Sequence, residues 1–88
     1  MRLWWLSFCD ETRPEGSRFL GACMVHADGL VGAVQEAHRL GINPVGDVQA
    51  VEAEPERAAM VPASYVGRLM DRAECEAFDA EMLGKAAA

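Results

Sequence analysis

Two apolar stretches, 3–9 and 18–27, flank an acidic loop that contains Pro14 and Gly16. Runs of large apolar residues bounded by Gly and Pro predict β-strands. Consecutive strands joined by a short loop usually pair antiparallel. The pattern therefore predicts a β-hairpin.

Both faces of this hairpin are apolar. If Asp10 lies opposite Ser17, one face pairs Phe8 with Phe19, Leu6 with Gly21 and Trp4 with Cys23. The other face holds Leu3, Trp5, Ser7 and Cys9 beside Arg18, Leu20, Ala22 and Met24. A face in contact with water would be more polar, so each face should be covered.

Two coverings are open for the second face. A second subunit would cover it through an interface formed by Leu3, Trp5, Leu20 and Met24. The C-terminal helix would cover it instead by inserting Phe78 and Met82, and the protein would then be a monomer.

A helix and a third strand follow the hairpin. Asp28 is a suitable N-cap, apolar residues recur at helical spacing up to Leu40, and Gly41 suits the C-terminal cap. After a turn, 47–54 predicts a strand that would be parallel or close to the second strand, with a right-handed connection. Together with the hairpin, this crossover makes the predicted sheet mixed.

The last third of the chain predicts a connector and a helix. Asp71 and Glu74 have the spacing of a capping box, which opens a helix over 72–83 that Gly84 ends. The predicted fold is a single α+β domain over 1–84, with a small mixed β-sheet (a ββαβ core), one packed helix and a C-terminal helix. Residues 85–88 are predicted to be a disordered tail.

Charge and composition exclude several classes of function. The 88 residues carry a net charge of −6, which disfavours generic nucleic-acid binding and anionic membranes. No apolar run approaches the roughly 20 residues that a membrane-spanning helix needs. Three cysteines without CxxC spacing disfavour a disulfide framework, so a cytoplasmic protein is expected.

The arginines around the hairpin loop suggest a ligand site. With Trp5 and Ser7 on the neighbouring strand, Arg13 and Arg18 would offer a stacking ring, a hydroxyl and two guanidiniums to a small anionic ligand. Asn43 lies in a turn whose backbone donors could also bind an anion. Alternatively, Trp5 lies in the subunit interface and the arginines pair with Glu11 and Glu15.

Catalytic and metal-binding patterns are absent from the sequence. Cys23 and His26 lie three residues apart on one predicted strand and so point to opposite faces, which argues against a nucleophile and base with Asp28. His38 fits the end of a helix. No catalytic residue, metal site or cofactor is predicted.

One resemblance bears on the class of protein. Residues 4–10 (WWLSFCD), 14–16 (PEG), 19–21 (FLG) and 40–44 (LGINP) resemble a group of short uncharacterised bacterial and phage proteins over the first fifty residues or so. That group would carry Gly where Val45 stands. The resemblance implies a small accessory protein and supplies no reaction, cofactor or catalytic residue.

The sequence favours a non-catalytic binding or interaction module that forms a homo-oligomer and binds a protein or a small molecule. One alternative is a phage anti-defence sponge that sequesters a nucleotide immune signal between subunits, with Arg13 and Arg18 supplying positive charge. A small hydrolase that uses Asp10 or Cys23 is the second alternative.

Overall fold

The computed structural model describes residues 1–87, which form a three-stranded sheet and three α-helices. In chain order the elements are β1 (Arg2–Cys9), β2 (Phe19–Ala27), α1 (Leu30–Arg39), β3 (Asp47–Glu52), α2 (Pro55–Ala58), a 3₁₀ turn at Ala63–Tyr65 and α3 (Arg72–Ala87). The predicted α+β class with a C-terminal helix is confirmed. Within residues 1–87, no helix is both long and apolar enough to cross a bilayer.

The central strand of the sheet is β1, with β2 on one side and β3 on the other. Both ladders are antiparallel, so the prediction of a mixed sheet is wrong. Strands β2 and β3 do run in the same direction, as a crossover through α1 requires, but they are not neighbours. The strand that is apolar on both faces takes the central position, where both faces can be covered.

The hairpin register differs from the predicted one by two residues. Trp4 pairs with Val25, Leu6 with Cys23 and Phe8 with Gly21, and the register then shifts between Phe8 and Cys9. Because side chains alternate with a period of two, a slip of two leaves Trp4, Leu6, Phe8, Cys23 and Val25 on the predicted common face.

The register shift exchanges the faces at the start of β2. Cys9 pairs with Phe19, and Leu20 packs against the core on the α1 side of the sheet. The prediction that Leu20 belongs to the second face, as part of a subunit interface, is therefore wrong. A bulge inserts one unpaired residue into a strand, so the side chains on the far side of the bulge point to the opposite face of the sheet.

Gly21 allows the chain after the 3₁₀ turn to approach β2 closely. Its φ is +140°, and a Cβ atom at this position would lie 2.8 Å from Leu69 Cδ1. Next to it, the amides of Ala22 and Met70 donate to each other's carbonyl oxygens at 3.0 and 2.7 Å. Farther along, the Gly67 amide donates to the Met24 carbonyl at 2.8 Å. Residues 66–70 thus cover part of the outer edge of β2.

Helix α1 covers one face of the sheet through the buried Ala33 and Ala37. Gly41, with φ of +74°, follows the last turn in the left-handed conformation predicted for a C-terminal cap. The predicted Asp28 cap is wrong, because the N-cap is Gly29 and no side chain bonds to the first turn. The Asp28 carbonyl instead accepts a hydrogen bond from Arg2.

Helix α3 covers the second face. It starts with the predicted capping box, in which the Glu74 amide donates to Asp71 Oδ1 at 2.8 Å and the Asp71 amide donates to Glu74 Oε1 at 3.3 Å. The helix continues through Gly84 to Ala87, so the predicted end at Gly84 is wrong. Residues 85–87 belong to α3, in conflict with the predicted disordered tail over 85–88, and Ala88 lies outside the described residues.

The chain itself therefore buries the face on which a subunit interface was predicted. Leu3 and Met24 lie in a core with Met70 and Phe78, and Trp5 and Met82 pack against that core. Of the two predicted coverings, the C-terminal helix is the observed one. Leu3 and Met24 are not available as an interface, because less than a twentieth of each is exposed.

Candidate functional site: an apolar cleft with an acidic rim

An apolar cleft of about 780 Å³ opens between the second sheet face, α2 and α3. Five segments supply its apolar lining: β1, β2, the end of β3, the linker that follows α2, and α3. The lining residues are Leu3, Trp5, Met24, Val51, Ala53, Met60, Val61, Phe78, Met82 and Leu83. The packing between α3 and the sheet is thus incomplete at this end of the molecule. Val51 and Leu83 remain 62% and 71% exposed.

Aromatic contacts hold the inner wall of the cleft in place. The rings of Trp5 and Phe78 stack with centroids 5.8 Å apart, and Tyr65 meets Phe78 edge-on at 5.0 Å. The Tyr65 hydroxyl donates to Glu81 Oε1 at 3.0 Å, and this hydrogen bond raises the pKa of Tyr65 above its ordinary value. The ring positions are therefore fixed by contacts from both the sheet and α3.

Acidic residues dominate the rim. Glu52, Glu54, Glu56 and Asp79 line it together with Arg57, and Lys85 lies beside it, where its Nζ donates to the Met60 carbonyl at 2.9 Å. Arg2 neutralises Glu52 at 2.9 Å, whereas no ion pair within residues 1–87 involves Glu54, Glu56 or Asp79. Carboxylates therefore outnumber basic groups at the mouth of the cleft, and this excess favours cations over anions.

The predicted anion site is not assembled. Trp5 packs against Phe78 in the second core, and Ser7 pairs with Ala22 in the β1–β2 ladder. The structure does bring Arg13 and Arg18 together, because Arg18 Nε donates to the Arg13 carbonyl at 2.9 Å. These two arginines lie in the hairpin loop, apart from the Trp5 ring.

Each arginine of the loop also has an acidic partner. Arg13 lies 3.5 Å from Asp10, and Arg18 lies 3.9 Å from Glu11. The alternative interpretation, in which the arginines pair with loop carboxylates, agrees with the Arg18–Glu11 contact. Both pairs are largely exposed, so solvent screens the attraction and the pairs add little to stability.

Asn43 has a local structural role. Its side-chain oxygen accepts a hydrogen bond from the Val45 amide at 2.9 Å and closes an Asx turn. Val45 itself has a φ of +66°, a conformation in which glycine would be unstrained. The side-chain Oδ1 of Asn43 is thus engaged within the turn.

Two residues considered for nucleophilic or acid–base chemistry, Cys23 and Asp10, have shifted pKa values. Burial raises the pKa of the Cys23 thiol to about 11, so the thiolate that would attack a substrate is scarce at neutral pH. Asp10 accepts hydrogen bonds from the Thr12 hydroxyl at 2.6 Å and the Thr12 amide at 2.9 Å, and these bonds lower its pKa. A carboxyl group with a lowered pKa is a weak general base at neutral pH.

Sequence reasoning missed the cleft because its lining comes from five separate segments. The signal that was available is the combination of acids with Met and Leu between residues 54 and 83, where Glu54, Glu56 and Asp79 are interspersed with Met60, Met82 and Leu83. Flexible methionines are common on binding surfaces that accept apolar groups.

Comparison with known proteins found no match for this chain among protein-family models, curated proteins or solved structures. The resemblance to short bacterial and phage proteins stays a prediction.

Proposed function

We propose that this protein is a non-catalytic binding module and that the cleft between the sheet and α3 is its binding site. The cleft itself carries the proposal: its volume of about 780 Å³ lies within the range typical of ligand sites. Its lining is mainly apolar, and its polar groups are gathered at the rim, an arrangement that lets the interior supply affinity while the rim selects the ligand.

The acidic rim gives this proposal its advantage over the nucleotide sponge. A nucleotide would meet the negative charge of Glu54, Glu56 and Asp79, and the loop arginines already have carboxylate partners. A hydrolase with Cys23 as nucleophile is disfavoured by the raised pKa of that thiol, and one with Asp10 as general base is disfavoured by the lowered pKa of that carboxyl group. Since α3 covers the second face, the binding unit in this proposal is a single chain, and homo-oligomerisation stays a prediction.

Methionine methyl groups allow a direct test of the cleft. Met24, Met60 and Met82 line it, whereas Met1 is exposed elsewhere and Met70 is fully buried. In protein labelled with ¹³C at the methionine methyl groups, the uncharged apolar dye Nile red should shift the three cleft signals at one-to-one stoichiometry. Unchanged signals at those three positions, or larger shifts at Met1, would overturn the proposal.

A variant that obstructs the mouth gives the matched control. Val51→Trp places a large ring on an exposed strand position at the cleft, and Val31→Trp places the same ring on the exposed side of α1. Dye affinity should fall about tenfold or more in the first variant and stay within twofold in the second. Circular dichroism would establish that both variants retain the fold.

A further inference from the structure

The outer edge of β3 is open next to the cleft. The Ala53 amide donates to the Leu3 carbonyl at 2.9 Å, so in the alternating antiparallel pattern Val51 and Gln49 also face β1. The N–H and C=O groups of Val48, Ala50 and Glu52 therefore point away from the sheet. Within residues 1–87, no backbone hydrogen bond occupies this edge, in contrast to the edge of β2 that residues 66–70 cover.

This edge leads into the cleft. Val51 belongs both to β3 and to the cleft lining, and the chain that continues from β3 forms part of the rim as far as Arg57. A strand added to β3 would lie alongside Val51, with alternate side chains on the side of the sheet where the cleft opens. A single ligand would then pair its main chain with β3 and insert its side chains into the cleft.

We propose that the ligand of the cleft is an extended peptide segment with apolar residues at alternate positions and basic residues at its ends, which adds to β3 as a fourth strand. This inference rests on the proposed function and names its ligand class. Because side chains alternate between the faces of a sheet, every second side chain of the segment enters the cleft, and these side chains are apolar. A basic side chain at the end of the segment then lies near Glu54 and Glu56, which follow β3 directly. The main chain supplies affinity, and the rim selects positive charge.

Repulsion between acidic residues disfavours a second copy of the chain as the added strand. Pairing of β3 with its own copy would bring Asp47 and Glu52 of each strand, and the following Glu54, close to the same acids of the other subunit. Each chain also carries a net charge of −6. Like charges facing one another across a strand pair are destabilising, whereas lysine or arginine there is favourable.

The probe for this proposal, called the lysine–valine peptide, is an acetylated and amidated octapeptide in which three valines alternate with three threonines between a lysine at each end. The C-terminal lysine of this sequence shares the face of the valines. Added to ¹⁵N-labelled protein, it should shift the amide signals of Val48, Ala50 and Glu52 together with the methyl signals of Met60 and Met82. A peptide in which glutamate replaces lysine should bind at least tenfold more weakly. Equal binding of the two peptides would overturn the proposal.

N-methylated peptides separate strand addition from simple charge attraction. Two versions of the lysine–valine peptide carry N-methyl groups on opposite sets of alternate residues, which removes the donors along one edge or the other. Since only one edge of an added strand pairs with β3, one version should bind and the other should lose binding. Equal affinity of the two versions would exclude strand addition.

Protein variants test the rim. Glu54→Gln and Glu56→Gln should each weaken the lysine–valine peptide about two- to fivefold, the range expected for an exposed charge pair. Glu15→Gln, in the exposed hairpin loop, is the control and should leave the affinity unchanged.

The outcomes also distinguish this inference from the function on which it rests. Binding of Nile red without binding of the peptide would leave the cleft as a binding site and overturn the peptide as its ligand. Failure of both would overturn both proposals. Shifts at Val48, Ala50 and Glu52 that grow with protein concentration, without peptide, would make a second copy the occupant of the edge and overturn the peptide.

Discussion

The indole ring of Trp5 stacks on the ring of Phe78 with an interplanar angle of 26°, and this contact joins the central strand to the C-terminal helix. Trp5 lies on the face of β1 that the hairpin alone would leave exposed. Phe78 lies in the middle of α3 and is only 8% exposed. The second core therefore depends on residues that are separated by most of the chain.

Replacing Phe78 with alanine should destabilise the protein by about 3 kcal/mol, because it removes a buried ring and leaves a cavity beside Trp5. Urea unfolding followed by tryptophan fluorescence would measure this change. Leu83→Ala is the matched control on the same helix, and its effect should stay below about 0.5 kcal/mol because Leu83 is largely exposed. A loss below 0.5 kcal/mol for Phe78→Ala would contradict the observed covering of the second face.

Two glycine-to-alanine substitutions should have opposite effects. Gly21→Ala combines a φ of +140° with a Cβ atom only 2.8 Å from Leu69, so a loss of about 2 kcal/mol is expected. Gly84→Ala should stabilise the protein by about 0.5 kcal/mol, since Gly84 lies inside α3 and a Cβ atom there meets nothing within 4 Å. Thermal unfolding of both variants would test this. A destabilised Gly84→Ala variant would indicate that α3 ends before this residue.

The buried thiol of Cys23 predicts a loss of stability in alkaline solution. Its pKa rises from 9.0 to about 11 on folding because burial disfavours the thiolate. A raised pKa in the folded state contributes stability below pH 9, and this contribution declines as the pH rises from 9 towards 11. At pH 10 the decline should be about 1 kcal/mol.

Urea unfolding at pH 8 and pH 10 would isolate this contribution if the protein is compared with a Cys23→Ala variant. The variant should be less stable at both values, because it loses a buried side chain, but its stability should fall less between them. The other titrating groups are common to both proteins and cancel in the comparison. Parallel slopes for the two proteins would rule out the predicted role of the thiol.

Local sequence patterns were sufficient to predict the class of fold and the burial of both faces of β1. The alternation of Trp4, Leu6 and Phe8 with Leu3 and Trp5 predicted two covered faces, and both are covered in the structure. The capping box of Asp71 and Glu74 likewise predicted the start of α3. These features depend on residues within a few positions of one another, where sequence spacing determines which side chains are neighbours.

Features that depend on distant contacts were not predictable in the same way. The hairpin register was wrong because it assumed regular pairing from Asp10 onwards, whereas the ladder shifts between Phe8 and Cys9. Gly21 was the available signal, since glycine within a strand often marks a bulge or a close approach of another segment. Neither the partner segment at Leu69 nor the cleft could be located, because both arise only when the C-terminal third folds onto the sheet.

The order of the sheet also has a consequence for synthesis on the ribosome. Strand β1 is translated before every element that covers it, and the helix that shields its Trp5 side is translated last among the described elements. Until α3 has left the exit tunnel, the nascent chain displays Leu3, Trp5 and Met24 to solvent or to a chaperone. A ribosome stalled before Arg72 would therefore carry a partly folded hairpin that is prone to aggregate, because one apolar face of its sheet is uncovered.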